Sequence, residues 1–188
     1  MYFNIFQRIF DLFIIFLFSP IILILFILIF FILFIVNSGS IFFYQYRVGK
    51  NNIKFKIIKF KTLKKDIYGK QYITKFGKFL RRTSLDELPQ IINIINNEMS
   101  IVGPRPLPPK NYVEIFKDIF DKRSLVLPGL TGYSQISYKG KDRTIEEKLK
   151  LDLYFVNNKS IKLYFYIILI TFKVLVIRFF RNTSGKTL

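Results

Sequence analysis

The sequence predicts an α+β fold, mostly helical, with a membrane-embedded N-terminal helix, a short β-hairpin and amphipathic helices at the membrane interface. Three observations carry this expectation. From Leu12 to Val36 the chain runs 25 positions without a charge, interrupted only by Ser19 and Pro20. Residues 41–62, "IFFYQYRVGKNNIKFKIIKFKT", alternate in places on either side of Gly49-Lys50-Asn51-Asn52, a turn sequence. Later stretches at 88–95, 146–156 and 160–181 space their apolar residues as helices do.

The first segment is too long for a signal-peptide core, and no small-residue cleavage site follows it. At ~1.5 Å per residue it can cross a ~30 Å hydrocarbon layer. Pro20 lacks the N–H that would bond the carbonyl of Phe16, so a kink is expected between two apolar arms. Two readings stand at this point: a kinked spanning helix, or a helix that enters the membrane and turns back. In either, the positive-inside rule puts the basic body that follows in the cytoplasm.

The hairpin comes next, with Lys54, Lys56, Lys59 and Lys61 as its charged members. Lys54 and Lys56 read as a solvated strand face. Residues 63–75 are polar and read as a mobile loop. Phe76 to Arg82 is basic and amphipathic, and the helical stripe from Leu88 to Ile95 stops at Asn96-Asn97. Gly103-Pro104-Arg105-Pro106-Leu107-Pro108-Pro109 cannot be regular helix and reads as a stiff, extended linker that fixes where Arg105 points. A short helix is expected over 111–124, and a turn at Pro128-Gly129-Leu130-Thr131-Gly132. In the last segment Lys162 and Lys173 lie eleven apart, about three helical turns, so they share a face. Such a helix can lie in the interface with its lysines at the head groups.

Composition narrows the chemistry. The 188 residues suggest one domain with a modest core. With no cysteine and no histidine, disulfides, thiolate metal sites and every Ser-His or Cys-His device are excluded. The net charge of +18 falls entirely after residue 46, because Arg8 and Asp11 cancel in the greasy head. A neutral head on a basic body points to anionic partners.

Against that background Ser84-Leu85-Asp86-Glu87 stands out, two carboxylates between Arg81-Arg82 and Arg105. One reading is helix capping, with Ser84 or Asp86 as the N-cap. The other is catalysis on phosphorus. Neighbouring guanidinium groups keep a carboxylate ionised and neutralise an approaching phosphate. An aspartate can then attack phosphorus without a histidine, helped by a magnesium ion on one or two carboxylates.

The segments "RIFDLFIIFLFSPIIL", "FKIIKFKTL", "KFGKFLRRTSLDELPQIINIINNEMSIVGPRPL", "PGLTGYSQIS" and "EEKLKLDLYFVNN" follow one another as in the bacterial monotopic phosphoglycosyl transferases, which the chain resembles over nearly its whole length. The resemblance implies a minimal catalytic form of that family, in which residues 1–37 are a re-entrant membrane helix broken at Ser19-Pro20. Residues 38–188 would then be a cytosolic, membrane-associated catalytic domain. It further implies transfer of a sugar 1-phosphate from a UDP-sugar to polyprenyl (undecaprenyl) phosphate, with release of UMP, as the first membrane step of glycoconjugate assembly. Asp86 matches the family nucleophile and Glu87 its dyad partner, both near Mg2+. Arg105 matches the phosphate-binding arginine of the Pro-Arg-Pro motif. Arg81, Lys59 and Lys61 match basic positions near the site. The implied location is the cytoplasmic face of the bacterial plasma membrane, in a monotopic arrangement. Membrane phospholipids are implied partners, downstream glycosyl transferases are compatible ones, and nucleic acid is not expected. One departure stands out: family members often carry Gly-Arg and then Trp-Glu, where this chain has Gly140-Lys141, Arg143 and Ile145-Glu146.

The rival reading is a membrane-anchored basic module that binds anionic lipid or nucleic acid. It accounts for the charge but not for two carboxylates set among arginines, since carboxylates weaken polyanion binding.

Overall fold

The computed structural model describes residues 2–37, 39–109, 117–137 and 144–180. Helix α1, Tyr2–Val36, runs without interruption through Ser19 and Pro20. The carbonyl of Phe16, which Pro20 cannot bond, instead accepts the Ser19 hydroxyl at 2.7 Å. The middle of the helix, from Phe16 to Ile24, is largely exposed, whereas Gln7 and Asp11 on one arm and Ile29 and Leu33 on the other are buried.

The expected hairpin forms. Strand β1, Phe42–Val48, pairs antiparallel with β2, Lys54–Phe60, and a 3-10 turn at Lys50–Asn52 joins them. Residues 63–75 differ from the loop expected of them. Strands β3, Leu63–Lys65, and β4, Gln71–Ile73, make a second small hairpin, and three-residue strands carry no periodicity to read. Helix α2, Lys75–Thr83, follows, capped by Thr74 Oγ1, which accepts the Gly77 N–H at 2.9 Å.

Neither capping reading of the Ser84 segment holds. Ser84 is left-handed, with φ 59°, and both ends α2 and precedes the next turn, its carbonyl accepting the Glu87 N–H at 3.1 Å. Its hydroxyl caps nothing, and Leu85–Gln90 is a 3-10 turn that accommodates Pro89. Helix α3, Ile91–Ile95, ends at Asn97, also left-handed.

Strand β5, Ser100–Val102, leads into the proline-rich linker and pairs in parallel with β6, Gly129–Thr131. The turn expected at 128–132 is therefore mostly strand. Its glycine serves close approach, because a Cβ on Gly129 would sit 2.0 Å from the backbone nitrogen of Gly103. Helices α4, Lys117–Arg123, α5, Tyr133–Ile136, α6, Ile145–Asn157, and α7, Ile161–Phe180, complete the description. The first part of the helix expected at 111–124, and Gly140, Lys141 and Arg143, lie outside the described residues.

Three apolar clusters hold these pieces together. Ile29 and Leu33 of α1 pack with Ile41, Phe60 and Leu80. Phe55 and Ile57 pack with Ile94 and Met99. Val102 packs with Ile136, Phe155, Tyr164 and Ile167. Polar contacts fix the other end of α1. Asp11 accepts the Ser100 hydroxyl at 2.6 Å, the Ile101 N–H at 3.2 Å and the Tyr164 hydroxyl. Arg8 donates to the carbonyls of Ile94 and Ile95. Helix α7 turns Tyr164 and Ile167 inward and leaves Leu169 and Phe172 exposed.

Gly129→Ala should force β5 and β6 apart, since the atoms its Cβ would meet, N and Cα of Gly103 and the Thr131 carbonyl oxygen, are all backbone and cannot rotate away. A loss of about 3 kcal/mol of stability is expected. Thermal unfolding in detergent would show it as a fall of several degrees in Tm.

Candidate active site

One open cavity of about 1220 Å³ gathers the charged residues matched to the family's site: Asp86, Glu87, Arg105, Arg81, Lys59 and Lys61 all line it. Each arrives on a different element for a local reason. In β2, Lys59 shares a face with Phe55 and Ile57, which are buried, so it points inward at the 3-10 turn. Lys54 and Lys56 take the opposite phase and are solvated, with Lys56 lying over the rings of Tyr44 and Tyr46. The 3-10 turn anchors Leu85 and Leu88 in the cluster around Leu80 and so presents Asp86 and Glu87 at the cavity wall.

Glu87 is held by two cations on one oxygen. Its Oε1 accepts from Lys59 Nζ at 2.5 Å and from Arg105 Nη2 at 3.3 Å. Burial pushes its carboxyl up, but Arg105 and Lys59 outweigh burial and hold it below the usual carboxylate range. Asp86 differs. Among the described residues no other side chain donates to it, and its own backbone N–H is its donor. Burial, with the adjacent Glu87 charge, pushes its carboxyl up to about 6 against the offset from Lys59 and Arg81. The two neighbours are therefore driven in opposite directions, the arrangement that separates acid–base roles in active sites.

Arg105 projects from a clamped backbone. Its carbonyl accepts Arg123 Nη2, and Arg123 Nε in turn bonds Asp152 Oδ2 at 2.7 Å, a buried pair. Burial raises the Asp152 carboxyl in spite of that partner. On the next residue the Pro106 carbonyl accepts Arg47 Nη1 at 3.3 Å, and the Leu107 carbonyl accepts the Val48 N–H at 3.0 Å. Arg81 is oriented by Thr62, whose Oγ1 accepts its Nε at 2.8 Å, and Lys61 donates to Ser40 Oγ at 2.7 Å.

The sequence reading missed Arg47, Arg123 and Asp152. Arg47 lines the cavity with a buried Nε that has no partner among the described residues, and burial together with Arg105 lowers its pKa. For Asp152 a signal existed. It shares one stripe of α6 with Leu149, Phe155 and Val156, and a carboxylate in an apolar stripe is a buried carboxylate in need of a cation. In all, the cavity wall carries eight lysines and arginines, adding Arg47, Lys64, Lys65 and Lys148 to those above, against the three carboxylates of Asp86, Glu87 and Asp152. That excess suits a ligand with more than one negative charge.

A family model described as bacterial sugar transferase matches residues 2–178. The galactosyl transferase CpsE of Streptococcus agalactiae serotype III (strain NEM316) is 36% identical over 161 residues, which cover 75% of this chain and 36% of that protein. The UDP-glucose:undecaprenyl-phosphate glucose-1-phosphate transferase of Xanthomonas campestris pv. campestris is 37% identical over 149 residues, 71% of this chain and 31% of that protein. The chain thus spans about a third of those two relatives. It matches 76% of the uncharacterized sugar transferase EpsL of Bacillus subtilis (strain 168), at 35% identity over 155 residues that make up 78% of this chain.

The opposed shifts of the two carboxylates can be measured without a substrate. A carbon-13 NMR titration should place the Asp86 carboxyl midpoint at about 6. Glu87→Gln should lower that midpoint by removing a like charge, and Lys59→Met should raise it by removing a cation.

Proposed function

The chain belongs to the bacterial sugar transferase family, and on that premise we propose that it moves a sugar 1-phosphate from a UDP-sugar to undecaprenyl phosphate. The observation that carries this reading is the pair Asp86–Glu87 inside a cationic cavity, one carboxylate pinned and the other without a side-chain donor. Glu87 with Lys59 and Arg105 forms a fixed ionic frame. Asp86, more basic than an ordinary aspartate yet ionised at neutral pH, is the nucleophile.

In the first step an Asp86 carboxylate oxygen bonds to the β-phosphorus, the bond from that phosphorus to the bridging oxygen breaks, and UMP leaves. In the second, an oxygen of the lipid phosphate attacks the same phosphorus and releases Asp86 as a carboxylate. Arg105 and Arg81 neutralise the phosphate oxygens during both displacements, which an anionic nucleophile requires. Arg47 adds a further cation on the same wall, and Arg123 with Asp152 keeps the Arg105 backbone in place.

Magnesium fits the donor set. Among the described residues no group of three or more carboxylates converges, and this ion is ordinarily held by one or two carboxylates plus substrate phosphates. Asp86 and Glu87 would hold it, with Lys59 and Arg105 keeping the Glu87 carboxylate in place. When bound it supplies Lewis-acid neutralisation of the phosphate charge.

The same reading makes α1 a re-entrant membrane anchor at the cytoplasmic face of the plasma membrane, with residues 38–188 as the catalytic domain. Support comes from its two ends. Asp11 docks on β5 and Leu33 packs on Leu80, so both arms rest on one body, while the exposed apolar middle faces away. A helix crossing the bilayer would carry residues 22 apart across ~33 Å to opposite faces. The exposed apolar side of α7, flanked by exposed Lys162 and Lys173, suits the interface beside it.

Purified protein given radiolabelled UDP-sugar and no lipid should release UMP and retain label on Asp86, located by mass spectrometry. Asp86→Asn should abolish turnover with a Tm unchanged or higher, because it removes a desolvated charge. Arg105→Met should cost about a hundredfold or more in kcat. For the wild-type enzyme kcat/KM should fall as pH drops through about 6, where Asp86 takes up its proton. The rival binding module predicts no UMP, and Asp86→Ala would leave its affinity for polyanions intact.

A further inference from the structure

The hairpin of β3 and β4 is built to present two large apolar side chains to whatever lies beyond it. Its tip is closed by four hydrogen bonds around Asp66. The Asp66 N–H donates to the Lys70 carbonyl at 2.9 Å, and the Gly69 N–H to the Asp66 carbonyl at 3.0 Å. Asp66 Oδ1 accepts the N–H groups of Tyr68 and Lys70 at 2.9 and 2.8 Å. Gly69, at φ +77°, allows the chain to close. This is an ordered turn, yet Ile67 is 91% and Tyr68 87% exposed. Polar residues could fill both positions without disturbing any of those bonds, so the turn alone does not account for them.

What surrounds the tip names the occupant. Lys61, Lys64, Lys65, Lys70 and Lys75 stand in this stretch with Asp66 as its single carboxylate, and the Asp66 side chain is engaged inside the turn. The hairpin is tied to the end of α1, where Lys64 Nζ donates to the Val36 carbonyl at 3.1 Å and Asn37 Nδ2 to the Lys61 carbonyl at 2.7 Å. An apolar pair with a tyrosine, ringed by lysines and fastened to the end of a membrane helix, has the composition of an interfacial contact.

We propose that Ile67 and Tyr68 insert into the head-group region of an anionic bilayer, giving the protein a second membrane contact beside α1. This rests on the reading of α1 as a membrane anchor. It also sets the cavity at the lipid surface, because Lys64, Lys65 and Gln71 of the same hairpin line its wall.

The chain holds no tryptophan and no cysteine, so single probes are clean. The Tyr68→Trp variant of the full chain is reconstituted in phosphatidylethanolamine vesicles with phosphatidylglycerol, with and without brominated acyl chains. Its emission should shift to the blue, and about half should be lost to the bromines, as for an interfacial indole. An Ile53→Trp control, at the exposed far turn of the first hairpin, should show neither effect. If the two variants behave alike while the protein still floats with the vesicles, the tip contact is wrong and the anchor stands. If the protein does not float, the anchor reading itself has failed and the tip proposal with it. A blue shift without bromine quenching would mean that protein, not lipid, covers the tip, and also overturns the proposal. Should Tyr68→Trp fold poorly, Ile67→Cys carrying a spin label tests the same insertion, which predicts greater accessibility to oxygen than to a water-soluble relaxant; the reverse order overturns it.

Discussion

Glu87 Oε1 receives Lys59 from β2 and Arg105 from the linker after β5, and that double contact joins the two halves of the cavity wall. Remove the carboxylate and two cations face each other across a partly desolvated cavity. Remove either cation and Glu87 keeps only one partner beside the Asp86 charge. The frame also explains why two chemically similar neighbours diverge. Glu87 takes up the available cations at hydrogen-bond distance, so Asp86 feels them only from further away, while burial and the Glu87 charge act on it unopposed by any side-chain donor. The basicity of Asp86 is thus a product of its burial first, and then of the charge its neighbour carries.

The frame is itself held by buried charges further out. Asp152 fixes Arg123, and Arg123 fixes the Arg105 carbonyl. Asp11, on the long apolar helix α1, fixes the start of β5, three residues before the glycine whose close approach to Gly129 sets the linker. Each of these carboxylates would be costly to bury alone and is buried with donors. They link α1, β5, α6 and the linker into one path, so the arm of α1 before Pro20 and the position of Arg105 are parts of the same construction.

How much of this was legible depended on the length of the pattern. Residues 54–61, KFKIIKFK, contain an apolar pair, Ile57-Ile58, that shifts the phase of the lysines. It sends Lys54 and Lys56 to one face and Lys59 and Lys61 to the other, and the structure solvates the first pair while Lys59 reaches Glu87. Long helices were visible for the same reason. Strands of three residues were not, since β3, β4 and β6 are too short to alternate and β6 begins and ends beside glycines that read as turns. The serine misled because a capping pattern is local, whereas Ser84 sits at the junction of α2 and the 3-10 turn in a left-handed conformation, with no capping bond from its hydroxyl. Arg47 and Arg123 gave no signal, because what they do depends on backbone carbonyls far away in sequence.

Under the proposed reading, a carboxylate serves as nucleophile only if it is placed where it is less well solvated and its charge is kept from repelling the phosphate it attacks. The cavity meets both needs with cations kept at graded distances: Lys59 close to Glu87 and mostly buried, Arg81 oriented on Thr62, and Arg105 half-exposed on a clamped backbone. The rigid part and the exposed part of Arg105 are separate by design of the linker. Prolines on both sides, the Arg123 bond and the β5–β6 pairing fix its Cα, while the guanidinium holds Glu87 at a relaxed 3.3 Å and stays reachable from the cavity. A tighter pair would bind the carboxylate better and a phosphate worse. The long contact lets one side chain complete the frame around Glu87 and leaves its guanidinium half-exposed at the cavity.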